Sequence, residues 1–291
     1  MRRFKVGRAE AGQRADVFVA AKYPQFSRSA LERLFDEDLV KIGVNTLKAG
    51  EKLHGGETIS VDDQILHKRP DAVELPVIYE DQSVVVINKP EGVLTHSKGA
   101  LNDEATVATF ISNKIADGRL SGNRAGIVHR LDRATSGVII TARSSEALSH
   151  LQKQFSKRKA KKMYLAVVEG WPEPQEAIID APIERNPRKP QTFRVSPSGK
   201  PALTSYKTLK QIEKSGKKYA FLELKPATGR THQLRVHLSY IGHPIVGDHL
   251  YGHDGEHLML HASSLEITLP GGERKIFEAE LPNRIREFLD K

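Results

Sequence analysis

The sequence contains no cysteine among its 291 residues, which excludes disulfides, thiolate nucleophiles and cysteine-ligated zinc together. It has no apolar run approaching the ~20 residues that span a bilayer, so no membrane partner is expected. The opening MRRFKVGRAE lacks the apolar stretch that a secretory leader places after its charges, and a cytoplasmic location is expected. Internal repeats and low-complexity tracts are missing as well. The chain is therefore globular, and its length and 38% apolar content suffice for one large domain plus a smaller one.

Positive charge, by contrast, is in surplus. Lys plus Arg number 45 against 36 Asp plus Glu, a net charge of +9, which suits a polyanionic partner whose counterions basic side chains would displace. The surplus is uneven: Lys153, Lys157, Arg158, Lys159, Lys161 and Lys162 fall in ten residues with no acidic one between them. Such a run fits either a solvated helix face or a contact with RNA.

Residues 14–35 carry two helical patterns. Ser27 and Ser29 are placed to cap the second, whose Ala30, Leu31, Leu34 and Phe35 recur at helical spacing. Leu39, Val40, Ile42 and Val44 then lead into a turn-rich stretch, and ETISV at 57–61 reads as a strand that closes a hairpin. This segment resembles the S4 RNA-binding domain over roughly residues 13–62. The resemblance implies a basic RNA-facing surface carrying Arg14, Arg28, Arg33 and Lys41. Residues 1–65 nevertheless hold 11 basic and 10 acidic residues, so a docking unit that touches no nucleic acid is the alternative. HKRPD at 67–71 is polar and proline-bearing, as linkers are. The expected division is a small α/β domain at 1–65, a linker at 66–75 and a second domain at 76–291.

In the second domain, residues 77–79, 84–88, 136–142, 163–169, 204–210 and 219–225 read as strands, and 104–117 and 144–157 as helices. Strand and helix do not alternate regularly, so the expected class is α+β with a mixed, mainly antiparallel sheet.

Four polar segments interrupt these elements. GIVHRLDRATSGVII at 126–140 sets Asp132 between Arg130 and Arg133, in a loop held by apolar flanks, where nearby positive charge favours the carboxylate. On the residues alone this fits a structural ion pair as well as a catalytic one. Comparison with the kinase His-Arg-Asp loop fails, because the Asp is one residue late and no Asn, Asp-Phe-Gly or glycine-rich phosphate loop accompanies it. KPATGRTHQLRVHL at 225–238 turns at Thr228 and Gly229, and Arg230 emerges where a helix could begin, placed to serve a loop. In KKMYLAVVEG at 161–170, strand alternation puts Lys162 and Tyr164 on one face. NKPEGVLTH at 88–96 ends a strand through Pro and Gly.

Taken with a late LHASSL, these segments resemble, in order, the RluA-type family of pseudouridine synthases across residues 77–281, with an N-terminal S4-like domain as its ribosomal members carry. One departure, Glu91-Gly92-Val93-Leu94 in place of the commoner Ala-Gly-Leu-Val type, leaves the chemistry untouched. The resemblance implies a pseudouridine synthase-like fold and isomerisation of specific RNA uridines. It makes Asp132 the catalytic carboxylate, Tyr164 the active-site ring and Arg230 the cation paired with Asp132. Arg130 would help the target base leave its stack, and His129, Arg133, Lys161 and Lys162, with Arg28 and Arg33, would contact RNA. Large-subunit ribosomal RNA is the first expectation for the target, transfer RNA the second, and a monomer is expected.

The reaction breaks the N1–C1′ bond, turns the uracil, joins C5 to C1′ and loses one proton from C5. No electrons are exchanged, so no cofactor or metal is expected. The carboxylate could attack C1′, attack the ring or remove the 2′ proton to give a glycal, and the resemblance leans towards the glycal. Tyr164 suits stacking on uracil better than acting as a base. The later histidines, His237 to His261 with Asp248 and Asp254, lack His-Glu-x-x-His spacing and read as hydrogen-bonding groups. Two rivals are a non-catalytic RNA-binding protein of the same fold and a glycosidase, which needs a second carboxylate about 5 to 10 Å from the first.

Overall fold

The computed structural model describes residues 1–67, 72–97, 104–115 and 117–290, apart from the Ser29 side chain. The middle of the expected linker, 68–71, and the capping role expected of Ser29 thus lie outside the described residues. The chain divides into two compact units, one of residues 1–73, 96–109 and 122–124, the other of 74–95, 110–121 and 125–291. Among the described residues, no helix is long and apolar enough to cross a membrane.

The first unit contains β1 (Arg2–Lys5), α1 (Ala15–Lys22), α2 (Arg28–Asp36), β2 (Val40–Ile42), β3 (Asn45–Thr46), β4 (Thr58–Val61) and α3 (Gln64–His67). Its strands form an antiparallel sheet in the order β1-β4-β2-β3. The Ser27 hydroxyl accepts the Ala30 N–H at 3.3 Å and starts α2. Phe18, Tyr23, Leu31, Leu34 and Ile59 are fully buried between helices and sheet, each stabilising the unit by roughly 1.5–3 kcal/mol. The expected helices and hairpin are present; β1 escaped notice because RRFK is charged at three of four positions. Arg14 and Arg28 both grip the buried Asp16, at 3.1 and 2.6 Å, and Arg33 pairs with Glu37 one turn away. These cations are therefore engaged within the unit.

A short helix, α4 (Val107–Ser112), stands where 104–117 was expected. The second unit is built on β5 (Val77–Glu80), β6 (Val84–Lys89), β7 (Ser136–Ala142), α5 (Ser145–Ser156), β8 (Lys161–Glu169), β9 (Glu176–Asp180), β10 (Ile183–Arg185), β11 (Phe193–Val195), β12 (Leu203–Lys214), β13 (Lys217–Pro226), α6 (Gln233–Tyr240), β14 (Leu260–Thr268), β15 (Arg274–Glu278) and α7 (Asn283–Asp290). Nine of these strands form a sheet ordered β5-β6-β7-β14-β8-β13-β12-β9, with β15 also on β14, while β10 and β11 form a separate ribbon. Among the described residues only the β7–β14 pairing is parallel, so the sheet is mixed and mainly antiparallel.

Central β6 and β7 are apolar, β-branched and buried along nearly their whole length, as strands covered on both faces must be. Helix α5 starts at Ser144, whose hydroxyl accepts the Ala147 N–H, and lays Ala147 and Leu151 on β7 and β14. Helix α6 is buried from Gln233 to Leu238 and packs Leu234 and Leu238 on Ala166, Val168 and Leu222 of β8 and β13. Gly137 lets β7 approach β14: at φ +116°, a Cβ there would lie 2.1 Å from the Ala262 carbonyl oxygen. That close crossing fixes the end of the loop that carries Asp132.

Candidate active site

The loop before β7 is tied down on both sides of Asp132. The Thr95 hydroxyl donates to the Leu131 carbonyl at 2.9 Å and accepts the Leu131 N–H at 3.2 Å. Lys89, fully buried, donates its Nζ to the carbonyls of Pro90, Val93 and Arg133 at 2.8, 2.8 and 3.2 Å. Burial pulls the Lys89 pKa down to about 7, partly opposed by the charges of Asp132 and Glu91. NKPEGVLTH thus clamps the Asp132 loop from Leu131 to Arg133.

The Asp132 carboxylate, with 19% of its side chain exposed, opens on a cavity of about 420 Å³. Arg130, Phe155, Arg158, Lys162, Tyr164, Arg230, His232 and Arg235 also line it. The expected partner of Asp132 was Arg230, and here the structure corrects the sequence reading. Arg230 is exposed, and its Nε donates to the Pro201 carbonyl at 3.0 Å. Its own N–H is taken by Gln233 Oε1, which fixes the turn before α6 and directs the side chain to Pro201.

Arg235, in the first turn of α6 and 3% exposed, brings Nη1 to 3.9 Å from Asp132 Oδ2. Its Nε and Nη2 donate to the two oxygens of the buried Asp248 at 2.7 and 2.6 Å, a two-pronged grip that aims the remaining nitrogen at Asp132. Burial works against this guanidinium, but the bonds and charge of Asp248, then the charge of Asp132, more than offset it, and its pKa lies above the ordinary value. At 3.9 Å the Arg235–Asp132 contact is electrostatic and too long for a hydrogen bond, leaving the carboxylate oxygens for a substrate.

His232, the residue before α6, adopts the left-handed conformation at φ 56°, which a non-glycine residue holds at a cost of about 1–2 kcal/mol. Its Nε2 lies 3.9 Å from Asp132 Oδ1, and its Nδ1 is 2.7 Å from the Tyr251 hydroxyl. Tyr251 accepts the Phe193 N–H at 2.8 Å, so its O–H is available to His232 Nδ1 and leaves the ring proton on Nε2, towards Asp132. Burial lowers the His232 pKa, opposed by Asp132.

Tyr164 extends from β8 into the cavity. Burial, then the negative charge of Asp132, push its phenol well above the ordinary range, so it is a neutral ring and hydroxyl donor at physiological pH. Lys162 turns inward beside it, donates to the Thr228 carbonyl at 2.8 Å, and is pulled down to about 8 by burial.

The other sequence candidates separate. Arg130 is exposed at the cavity. His129 was expected to contact RNA, but its Nε2 accepts the Ile140 N–H at 3.2 Å and its ring stacks on Phe155 with centroids 4.5 Å apart. Burial draws its pKa to about 3, giving a neutral ring that serves the scaffold. Arg133 donates to the Gly92 carbonyl, and Lys161 pairs with Glu266 at 3.4 Å. Arg28 and Arg33 belong to the first unit and its internal ion pairs. Among the late histidines, His237 contacts Thr204 and the Ala181 carbonyl, and His261 contacts Ser136.

Arg235, Asp248, His232, Lys89 and Thr95 were quoted within motifs but given no part in the site. A signal existed for Arg235: a cation within the apolar run Leu234 to Leu238 needs a buried carboxylate.

The family model of RNA pseudouridylate synthases matches residues 83–240. A chain from Aquifex aeolicus described as an uncharacterized RNA pseudouridine synthase is 36% identical, covering 97% of this chain and 94% of its own length. The ribosomal large subunit pseudouridine synthase D of Borreliella burgdorferi is 37% identical, over 96% of this chain and 90% of its own. Among solved structures, human RNA pseudouridylate synthase domain containing 1 superposes with a TM-score of 0.59 at 28% identity, over 73% of this chain and 86% of its own. The chain belongs to the RNA pseudouridylate synthase family. It is an isomerase that converts uridine in RNA to pseudouridine.

Proposed function

We propose that Asp132 is the catalytic carboxylate, that Arg235 is its positive partner, and that Tyr164 is the ring against which the target uracil rests. The observation that carries this reading is the lining of the cavity. Among the described residues, Asp132 is its single carboxylate, with Arg235 Nη1 and His232 Nε2 each 3.9 Å away. A glycosidase would need a second carboxylate there.

In each of the three routes open to it, Asp132 works as the anion, and the buried Arg235 stabilises that anion without occupying its lone pairs. Tyr164, held neutral, offers a stacking face and an O–H, which suits uracil during its rotation and unsuits the phenol for removing the C5 proton. A base inside a helix is beyond reach, so the uridine must leave its stack, and the exposed Arg130 at the cavity is suited to fill the gap. Lys162 lines the same cavity, and Arg133 and Lys161 would meet the RNA outside it. Arg230, bonded to Pro201, serves the cavity wall.

We take large-subunit ribosomal RNA as the substrate, on the names carried by relatives such as those of Borreliella burgdorferi and Nitrosomonas europaea. The first unit would then be an S4-like RNA-docking domain, with Arg14, Arg28, Arg33 and Lys41 on its basic face, and the protein a cytoplasmic monomer. Mapping pseudouridines in RNA from cells with and without the protein tests the target. Loss of one or a few sites in large-subunit ribosomal RNA is expected; loss confined to transfer RNA would overturn the ribosomal assignment.

A further inference from the structure

The end of α5 carries an anomaly that the chemistry around Asp132 does not use. The helix closes with the Arg158 N–H on the Phe155 carbonyl at 3.1 Å and the Lys159 N–H on the Gln154 carbonyl at 2.8 Å, the paired bonds of a Schellman ending. The residue at the turning point of that ending adopts the left-handed conformation, which favours glycine. Here it is Arg158, at φ 56°. The fold would be better served by glycine, so the side chain itself has a use.

That side chain is exposed and lines the cavity that holds Asp132 and Tyr164. Lys153, Lys157 and Lys159 surround it, all exposed. Among the described residues, none of these four cations has a carboxylate within ion-pairing distance, whereas neighbouring Lys161 and Arg274 both pair with Glu266. The carbonyl end of a helix favours a cation without any ligand, and Lys153 in the last turn already meets that preference. It does not account for an arginine at the glycine position.

We infer that Arg158, flanked by Lys153, Lys157 and Lys159, grips the phosphodiester backbone of the RNA strand beside the target uridine. A guanidinium matches phosphate oxygens in a two-pronged geometry, and the surrounding lysines add the sequence-independent attraction of a polyanion site. The inference rests on the RNA-modifying activity of the cavity, and it assigns the strand's path past α5.

The test uses the full chain, a large-subunit ribosomal RNA transcript tritiated at uracil C5, and the variants Arg158→Gly, Arg158→Lys and, as a distant control, Lys217→Gln. Arg158→Gly is expected to melt at the same temperature or higher, because glycine suits the turn. It is also expected to bind the transcript about tenfold more weakly, as for one lost charge-assisted hydrogen bond. The slope of log affinity against log salt should flatten by about 0.7–0.9, one phosphate's worth. Tritium release should show a raised KM with kcat nearly retained. Arg158→Lys should recover part of the affinity and the salt slope, and Lys217→Gln should change neither. Unchanged affinity and slope in Arg158→Gly would overturn the inference, as would a lowered melting temperature with kcat and affinity falling together. Phosphate contacts carry no sequence information, so the binding comparison holds on any RNA. Failure of the parent to release tritium from this transcript would count against the ribosomal target alone.

Discussion

Replacing Arg235 by Lys should cripple turnover, while the same change at Arg230 should not. Arg235 is the guanidinium that faces Asp132 at 3.9 Å while holding Asp248 through two bonds of 2.7 and 2.6 Å. A lysine carries one ammonium and cannot serve both carboxylates in that geometry, and Asp248, fully buried, would take it first. At an effective dielectric of about 20, a unit charge 3.9 Å from Asp132 is worth roughly 4 kcal/mol to the anion. Residual screening and the retained charge reduce the loss to about 3–4 kcal/mol, or roughly two to three orders of magnitude in rate. Among the described residues the Arg230 side chain donates only to the Pro201 carbonyl, and Arg230 should lose less than about fivefold on conversion to Lys. Single-turnover tritium release at saturating RNA, with affinity measured in parallel, separates the two. A larger defect in Arg230→Lys than in Arg235→Lys would refute the assignment.

Two further outcomes follow from buried groups. The Lys89 pKa, drawn to about 7 by burial, lies below its unfolded value, so the unfolded chain binds more protons between about pH 7 and 10 and stability rises with pH across that window. Urea unfolding of the parent relative to Lys89→Met should gain up to about 1.4 kcal/mol per pH unit above pH 7, and parallel stability curves would contradict this. His232→Asn, a residue type that tolerates the left-handed conformation, should keep the fold and RNA affinity but turn over roughly five- to tenfold more slowly for want of the Nε2–H beside Asp132; an unchanged rate would remove His232 from the site.

Much of the molecule was legible in the sequence because its signals are local. The β-branched run at 136–142 became β7 with the expected bounds, and the helical segment expected at 144–157 became α5 at Ser145–Ser156. Elements lacking a local signal were missed: β1 is a charged tetrapeptide, and β15 and α7 are polar segments that acquire their form from β14 and from packing. The same divide runs through the site. Asp132 and Tyr164 stand in distinctive motifs, and both reach the cavity. Choosing between Arg230 and Arg235 required knowing that α6 starts at Gln233 and is buried on nearly every side, which turns Arg235 towards Asp248 and leaves Arg230 outside. The clamp of Lys89 and Thr95 on the Asp132 loop joins residues 36 and 44 positions apart, contacts that no local spacing encodes.

The most direct measurement is tritium release from C5-labelled RNA by Asp132→Asn, made alongside RNA binding by the same preparation. The substitution keeps the shape of the side chain and removes the charge that every proposed route uses. Release should fall to the level of a protein-free control while RNA affinity stays within a few-fold of the parent. Release at the parental rate by a folded Asp132→Asn protein would show that the reaction does not depend on this carboxylate.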